Sequence, residues 1–131
     1  MTERTGAHMG EAKHLAAAIA LAPLVAECSD EAERRRRLPD QLVEAFIDAG
    51  FFRMHLPRLL GGDEANFVDS QRAIEELARA DASAGWNVMI GAGNGRYAAF
   101  MEPAAAHEIF DNPRTVSAAA FCPCCSTGRS P

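Results

Sequence analysis

Two groups of residues have the types and spacing to do chemistry. Glycines stand at 85, 91, 93 and 95 within GWNVMIGAGNGRYAAF, residues 85–100, and cysteines at 122, 124 and 125 form a CPCC run. A dinucleotide-binding loop needs GxGxxG directly after a strand and at the opening of a helix. Here GAGNG brings the third glycine one residue early, and SAGWNVMI before it follows a helix and a capping signal. A P-loop would need Gly-Lys followed by Ser or Thr, which is absent. Both nucleotide loops are excluded. What remains is a helix rich in small residues, in which each interior Gly costs roughly 1 kcal/mol relative to Ala. Glycines at 91, 93 and 95 need a reason, namely the close approach of a neighbouring helix or of a ligand. Trp86 and Asn94 lie eight apart on one face, and Gly93 and Tyr97 on a nearby one. Trp86 and Tyr97 offer aromatic surface and Asn94 a polar contact, which makes these three the candidate substrate-pocket residues.

The cysteines fit neither a disulfide scaffold, which would spread them along the chain, nor zinc, which needs two separated pairs. Cys28 stands far from the clump, and no His is near it. The default is a reduced, cytoplasmic chain, with a CPCC metal or redox module as a minor alternative. His8, His14, His55 and His107 show no HxxxH or HExxH spacing, so each reads as structural or solvated. His8 and His14 belong to a loose N-terminal end, and His107 to an exposed position. Glu75, Glu76 and Asp81 show no shared cleft for acid–base work. No catalytic residue and no metal ligand is assigned.

These residues must be positioned by something, and the chain of 131 residues is long enough for one domain. A hydrophobic share of 48% reads as globular, and a net charge of −5 excludes a nucleic-acid-binding role, which needs a basic face. The apolar run 15–26 is too short to span a bilayer, and Glu3 and Glu11 stand where a signal peptide wants positive charge. Leu15, Ile19, Ala22 and Val25 predict a helix over about 10–36, with Pro23 kinking or restarting it. The EAERRRR run at 31–37 reads as its solvated end rather than an anion site.

LPDQLVEAFIDAGFF, residues 38–52, predicts a short helix with Pro39 in its first turn. Gly50 would be its left-handed cap, with Phe51 or Phe52 folding back on it. An extended connector follows over 53–63 with a turn at Gly61-Gly62. Helices are predicted over 66–80, with Ile74, Leu77 and Ala78 inward, over about 84–100 and over 102–110. Asp81 and Ser83 are the caps for the helix at 84–100, and Pro103 opens the one at 102–110. VSAAAF, 116–121, predicts a first strand, which cannot stand alone.

The series LPDQLVEAFIDAGFF, LPRLLGG, IEELARADASAGW and EPAAAHEIF resembles the N-terminal helical domain of the acyl-CoA dehydrogenase superfamily over roughly residues 12–123. ELARADASAGW is its most specific segment. The Trp after the Gly resembles the branch of flavin-dependent monooxygenases that hydroxylate phenols or desulfurise aromatics. A His common near Gly93 in the phenol-hydroxylating members is absent here.

The resemblance implies an all-α helical bundle over 1–113, then the start of a truncated β domain over 114–131. It also implies FAD (or FMN) in a complete, homo-oligomeric enzyme acting on an acyl thioester or an aromatic small molecule, with no nucleic-acid or membrane partner. Ala120, Phe121 and Cys122 fall at the strand edge that contacts flavin, where the family has Thr or Ser. The family's catalytic base lies in a C-terminal domain, so this chain is expected to be inactive and flavin-free alone. The CCSTGRSP tail departs from the family and reads as a frameshift or truncation. The alternatives are a stand-alone helical module that pairs with a full-length relative, and a fragment of a reduced-flavin aromatic monooxygenase.

Overall fold

The computed structural model describes residues 5–118, with side chains from residue 13 onward. Its regular structure is helical throughout. The helices are α1 (Thr5–Arg35), α2 (Asp40–Asp48), α3 (Phe67–Ala80), α4 (Ala82–Asn94) and α5 (Pro103–Phe110), with 3-10 turns at Phe51–Arg53, Arg58–Leu60 and Gly95–Phe100. The expected all-α bundle is therefore what the described chain forms. α1 packs along α3, and α3 along α4.

α1 has 31 residues, about 46 Å of helix, and it continues through Pro23 rather than stopping there. Pro23 is exposed, so water can serve the carbonyl that its missing N–H leaves without a partner. The buried stripe is also not the one that apolar spacing predicted. His14, Ala18, Val25, Cys28 and Ala32 face inward, while Ile19 is 56% exposed. Small residues at Ala18, Cys28 and Ala32 allow α3 to approach closely, and this outweighs the bulk of Ile19.

α2 buries Leu42 and Phe46, and Pro39 stands one position outside it. Gly50 takes φ +76°, a left-handed conformation that only glycine adopts without strain, and the chain folds back as expected. Both Phe51 and Phe52 become buried, each edge-on to Phe46. The connector is not extended. Its two 3-10 turns are drawn together by Arg53, which donates to the carbonyls of Leu60, Gly61, Phe110 and Asn112.

Asn66 caps α3 through Val68 N–H, and Glu102 caps α5 through Ala105 N–H. Asp81 caps α4 by accepting from Ala84 N–H at 2.8 Å, and it also accepts from the Ser29 hydroxyl of α1 at 2.6 Å. Burial pushes the Asp81 carboxyl up. Hydrogen bonds from Ser29, the Ala84 backbone and Ser83 outweigh that and hold it below its ordinary range. The cap predicted from the sequence thus also joins two helices. Arg79 pairs with Glu75 and Glu76.

His14 corrects its expected placement, and His55 is structural, one of the two readings given to it. His14 is 2% exposed, and its Nε2 donates to Asp63 at 2.9 Å. Ser70 gives its hydroxyl proton to the Phe67 carbonyl, so it accepts from His55 Nε2 at 3.2 Å. Burial first, then the charges of Arg96 and His14, lower the His55 pKa to about 4. His107 is half-exposed and pairs with Asp111.

The helices end at Phe110, and residues 116–118 of the expected strand carry no strand; residues 119–121 lie outside the described residues. No described helix is long and apolar enough to cross a membrane. No group of three or more His, Cys, Asp or Glu among the described residues could hold a metal ion.

Candidate functional site

The glycines at 85, 91 and 93 in α4, and at 95 in the turn that follows, separate into two kinds. A Cβ at Gly85 would lie 2.6 Å from the Ala78 Cβ and 2.8 Å from its Cα, so this position lets α3 and α4 touch. A Cβ at Gly91 would lie 2.4 Å from Phe52 Cδ1, and one at Gly95 3.0 Å from Leu56 N. These three serve the bundle's own packing. Gly93 does not, because a Cβ there would meet nothing within 4 Å.

α4 is consequently inverted in size. Its buried side is small, made of Ala84, Gly85, Val88, Gly91 and Ala92. Its outward side carries Trp86, Ile90, Gly93 and, in the following 3-10 turn, Tyr97 and Phe100. Trp86, Tyr97 and Phe100 are 62%, 53% and 88% exposed. An isolated soluble helix would place its large apolar residues inward. An outward aromatic face rimmed by polar groups marks a surface that meets something else.

Two depressions flank this face. The larger, about 970 Å³, lies between the C-terminal end of α1, α2 and α4, and Trp86 and Phe52 line it together with Val116, Ser117 and Ala118. The smaller, about 430 Å³, is lined by Met89, Ile90, Gly93, Asn94, Arg96, Tyr97 and Phe100. The structure thus places Asn94 and Tyr97 together in the second depression and Trp86 in the first, with Ile90 shared by both. Asn94 also donates from Nδ2 to the Ser117 carbonyl at 3.2 Å. The cofactor-edge candidates Ala120, Phe121 and Cys122 lie outside the described residues.

Sequence reasoning did not find Met89, Ile90, Arg96 or Phe100. The signal was present in the 86, 90, 93, 97, 100 spacing, a helical stripe that ordinarily means core. The Arg run reads as expected, since Arg35 pairs with Glu31 and Arg37 with Asp40 at the exposed end of α1.

The family model for the acyl-CoA dehydrogenase N-terminal domain matches residues 11–106. The chain is 37% identical over 86 residues to the oxygenase subunit HsaA, a flavin-dependent monooxygenase of Rhodococcus jostii (strain RHA1). That match covers 65% of this chain and 22% of the relative. It is also 37% identical over 60 residues to the probable acyl-CoA dehydrogenase fadE25 of Mycobacterium bovis, covering 46% of this chain and 15% of the relative. Among solved structures it is similar to XiaF from Streptomyces sp. in complex with FADH2 and glycerol. That likeness has a TM-score of 0.81 at 25% identity and covers 88% of this chain and 30% of XiaF. The chain therefore spans less than a third of the length of these relatives.

Proposed function

The chain belongs to the acyl-CoA dehydrogenase family, by its N-terminal domain, and from that premise we propose that it forms one wall of the substrate pocket of a flavin-dependent oxidoreductase. The single observation that carries this is the outward face of α4. There a Cβ at Gly93 would meet no described residue within 4 Å, and the rings of Trp86 and Tyr97 are exposed on the same outward side. Trp86 and Gly93, seven residues apart in α4, lie about 20° apart around the helix, and Tyr97 follows in the 3-10 turn. A flat ring can lie against such a surface. Trp86 and Tyr97 would stack on it or edge it, and Asn94 would offer a polar contact at the side.

The described residues fit a wall and not a whole cradle. Gly93 leaves room for a planar group, while residues 116–118, which line the larger depression, offer one hydroxyl, Ser117, and backbone. The flavin, FAD with FMN as the alternative, supplies the redox chemistry when bound. Residues Ala120, Phe121 and Cys122 would meet its edge through their backbone, since none carries the hydroxyl that the family uses there. This chain's own contribution is to orient the small-molecule substrate and to keep water from that side. The aromatic face favours an aromatic substrate and its hydroxylation with reduced flavin and dioxygen, and dehydrogenation of an acyl thioester is the second reading. The complete enzyme would be a cytoplasmic homo-oligomer without nucleic-acid or membrane partners.

On its own the chain should hold flavin weakly or not at all, because one wall buries too little of a ligand. FAD titration followed through Trp86 fluorescence tests this, and saturation with a micromolar dissociation constant would contradict it. A different role, a helical module that pairs with a full-length relative, is favoured by the same exposed apolar face. Sizing distinguishes the two, since a monodisperse monomer in the presence of the relative counts against the module.

A further inference from the structure

The bundle holds the chain that leaves it at two points. Arg114 reaches back to α2, with Nη2 on Glu44 and Nη1 on Asp48 at 3.2 Å, across 70 and 66 residues of sequence. Three residues later the Ser117 carbonyl accepts from Asn94 Nδ2 of α4 at 3.2 Å. Between these points the segment has little else to hold it. Thr115 N–H bonds Asn112 within a turn, and Val116 is 42% exposed. Yet Val116, Ser117 and Ala118 form one wall of the larger depression, opposite Trp86. The segment is thus tied to α2 at residue 114 and to α4 at residue 117.

We propose that Arg114 and Asn94 are positioning residues, a two-point latch that seats residues 114–118 against the bundle and sets the direction in which the chain continues. Arg114 acts through Glu44 and Asp48, whose two carboxylates accept from different guanidinium nitrogens. Asn94 acts through a single neutral hydrogen bond to backbone, so it fixes position without regard to the side chain at 117. That this direction leads toward a flavin edge rests on the function proposed above; the latch itself does not.

The test uses the full chain and the backbone 15N{1H} heteronuclear NOE of residues 115–118, which reads picosecond–nanosecond order. In the parent these amides should be as ordered as those of α4. Arg114→Ala and Asn94→Ala should each lower their NOE markedly, while the melting temperature and the α4 amides stay unchanged. Arg114→Lys, which keeps the charge but can reach only one carboxylate at a time, should restore part of the order. Arg114→Glu, which faces Glu44 and Asp48 with like charge, should lose more than Arg114→Ala. The ratio of seated to released segment, read from the chemical shifts of the same amides, should fall about two- to fivefold in the released variants, the population change that losing exposed pairs of this kind produces. Unchanged order at 115–118 in both alanine variants would overturn the proposal, as would a parent segment already disordered. Because neither readout involves flavin or substrate, failure of the latch and failure of the pocket assignment are separable.

Discussion

Gly91 and Gly93 sit two residues apart in one helix, and an added methyl group should have opposite effects at them. At Gly93 a Cβ meets nothing within 4 Å, so Gly93→Ala should gain helix propensity and reduce the entropy of the unfolded chain. Because the position lies in the last turn of α4, the gain should be about 0.5–1 kcal/mol, which raises the melting temperature by roughly 2–5 °C. At Gly91 the Cβ would lie 2.4 Å from Phe52 Cδ1 and 2.8 Å from Cε1. Phe52 cannot swing away, because it is 9% exposed and set edge-on to Phe46. Overpacking costs about 1–3 kcal/mol, and so close an approach belongs to the upper part of that range, so after a propensity gain of about 1 kcal/mol Gly91→Ala should still lose about 1–2 kcal/mol. Urea unfolding followed by circular dichroism at the helical band measures both. Loss of stability in Gly93→Ala, or a neutral Gly91→Ala, would refute the division of the glycines and the open face inferred from it.

Replacing Asp81 with Ala removes the cap of α4 and the Ser29 link to α1, and it should cost about 1–2 kcal/mol in thermal or urea unfolding. The stabilisation from ionised Asp81 should be present above its ordinary pKa of 3.8 and lost as pH falls through its depressed value. His55 behaves oppositely with respect to its charge. Its pKa of about 4 in the fold, against 6.5 unfolded, means that the unfolded chain takes up a proton that the folded chain refuses. Stability should therefore fall as pH drops from 6.5 toward 4, and His55→Gln should flatten that slope. Trp86→Ala should change stability by less than about 0.5 kcal/mol, since the side chain is 62% exposed.

Much of the fold was legible because its signals are local. Gly50 with Phe51 and Phe52, Asp81 before α4, and Pro103 at the start of α5 each act within a few residues. What was not legible depended on distant partners. His14 looked like part of a loose end because Asp63, 49 residues away, is what buries and bonds it. The inward stripe of α1 was misjudged because alanine gains its value from the close approach of α3, which no periodicity shows. Pro23 was read as a kink or restart, and one helix runs through it, because exposure, not composition, decides whether its lost hydrogen bond matters. The site was half legible. The glycines of α4 and the turn after it declared that something approaches closely, and the structure assigns Gly85, Gly91 and Gly95 to the bundle and leaves Gly93 to the outside.

The central claim is that the outward face of α4 becomes a pocket wall once the rest of a flavoenzyme is present. The most direct measurement grafts residues 11–118 in place of the matching domain of the Rhodococcus jostii oxygenase subunit and follows flavin-dependent hydroxylation of that enzyme's own substrate. The account predicts a working chimera in which Trp86→Ala and Gly93→Leu raise KM or reduce kcat about tenfold or more, the loss expected when a wall contact is removed or filled, while the bundle keeps its stability. A chimera equally active with Trp86, with Ala in its place and with Leu at position 93 would contradict it.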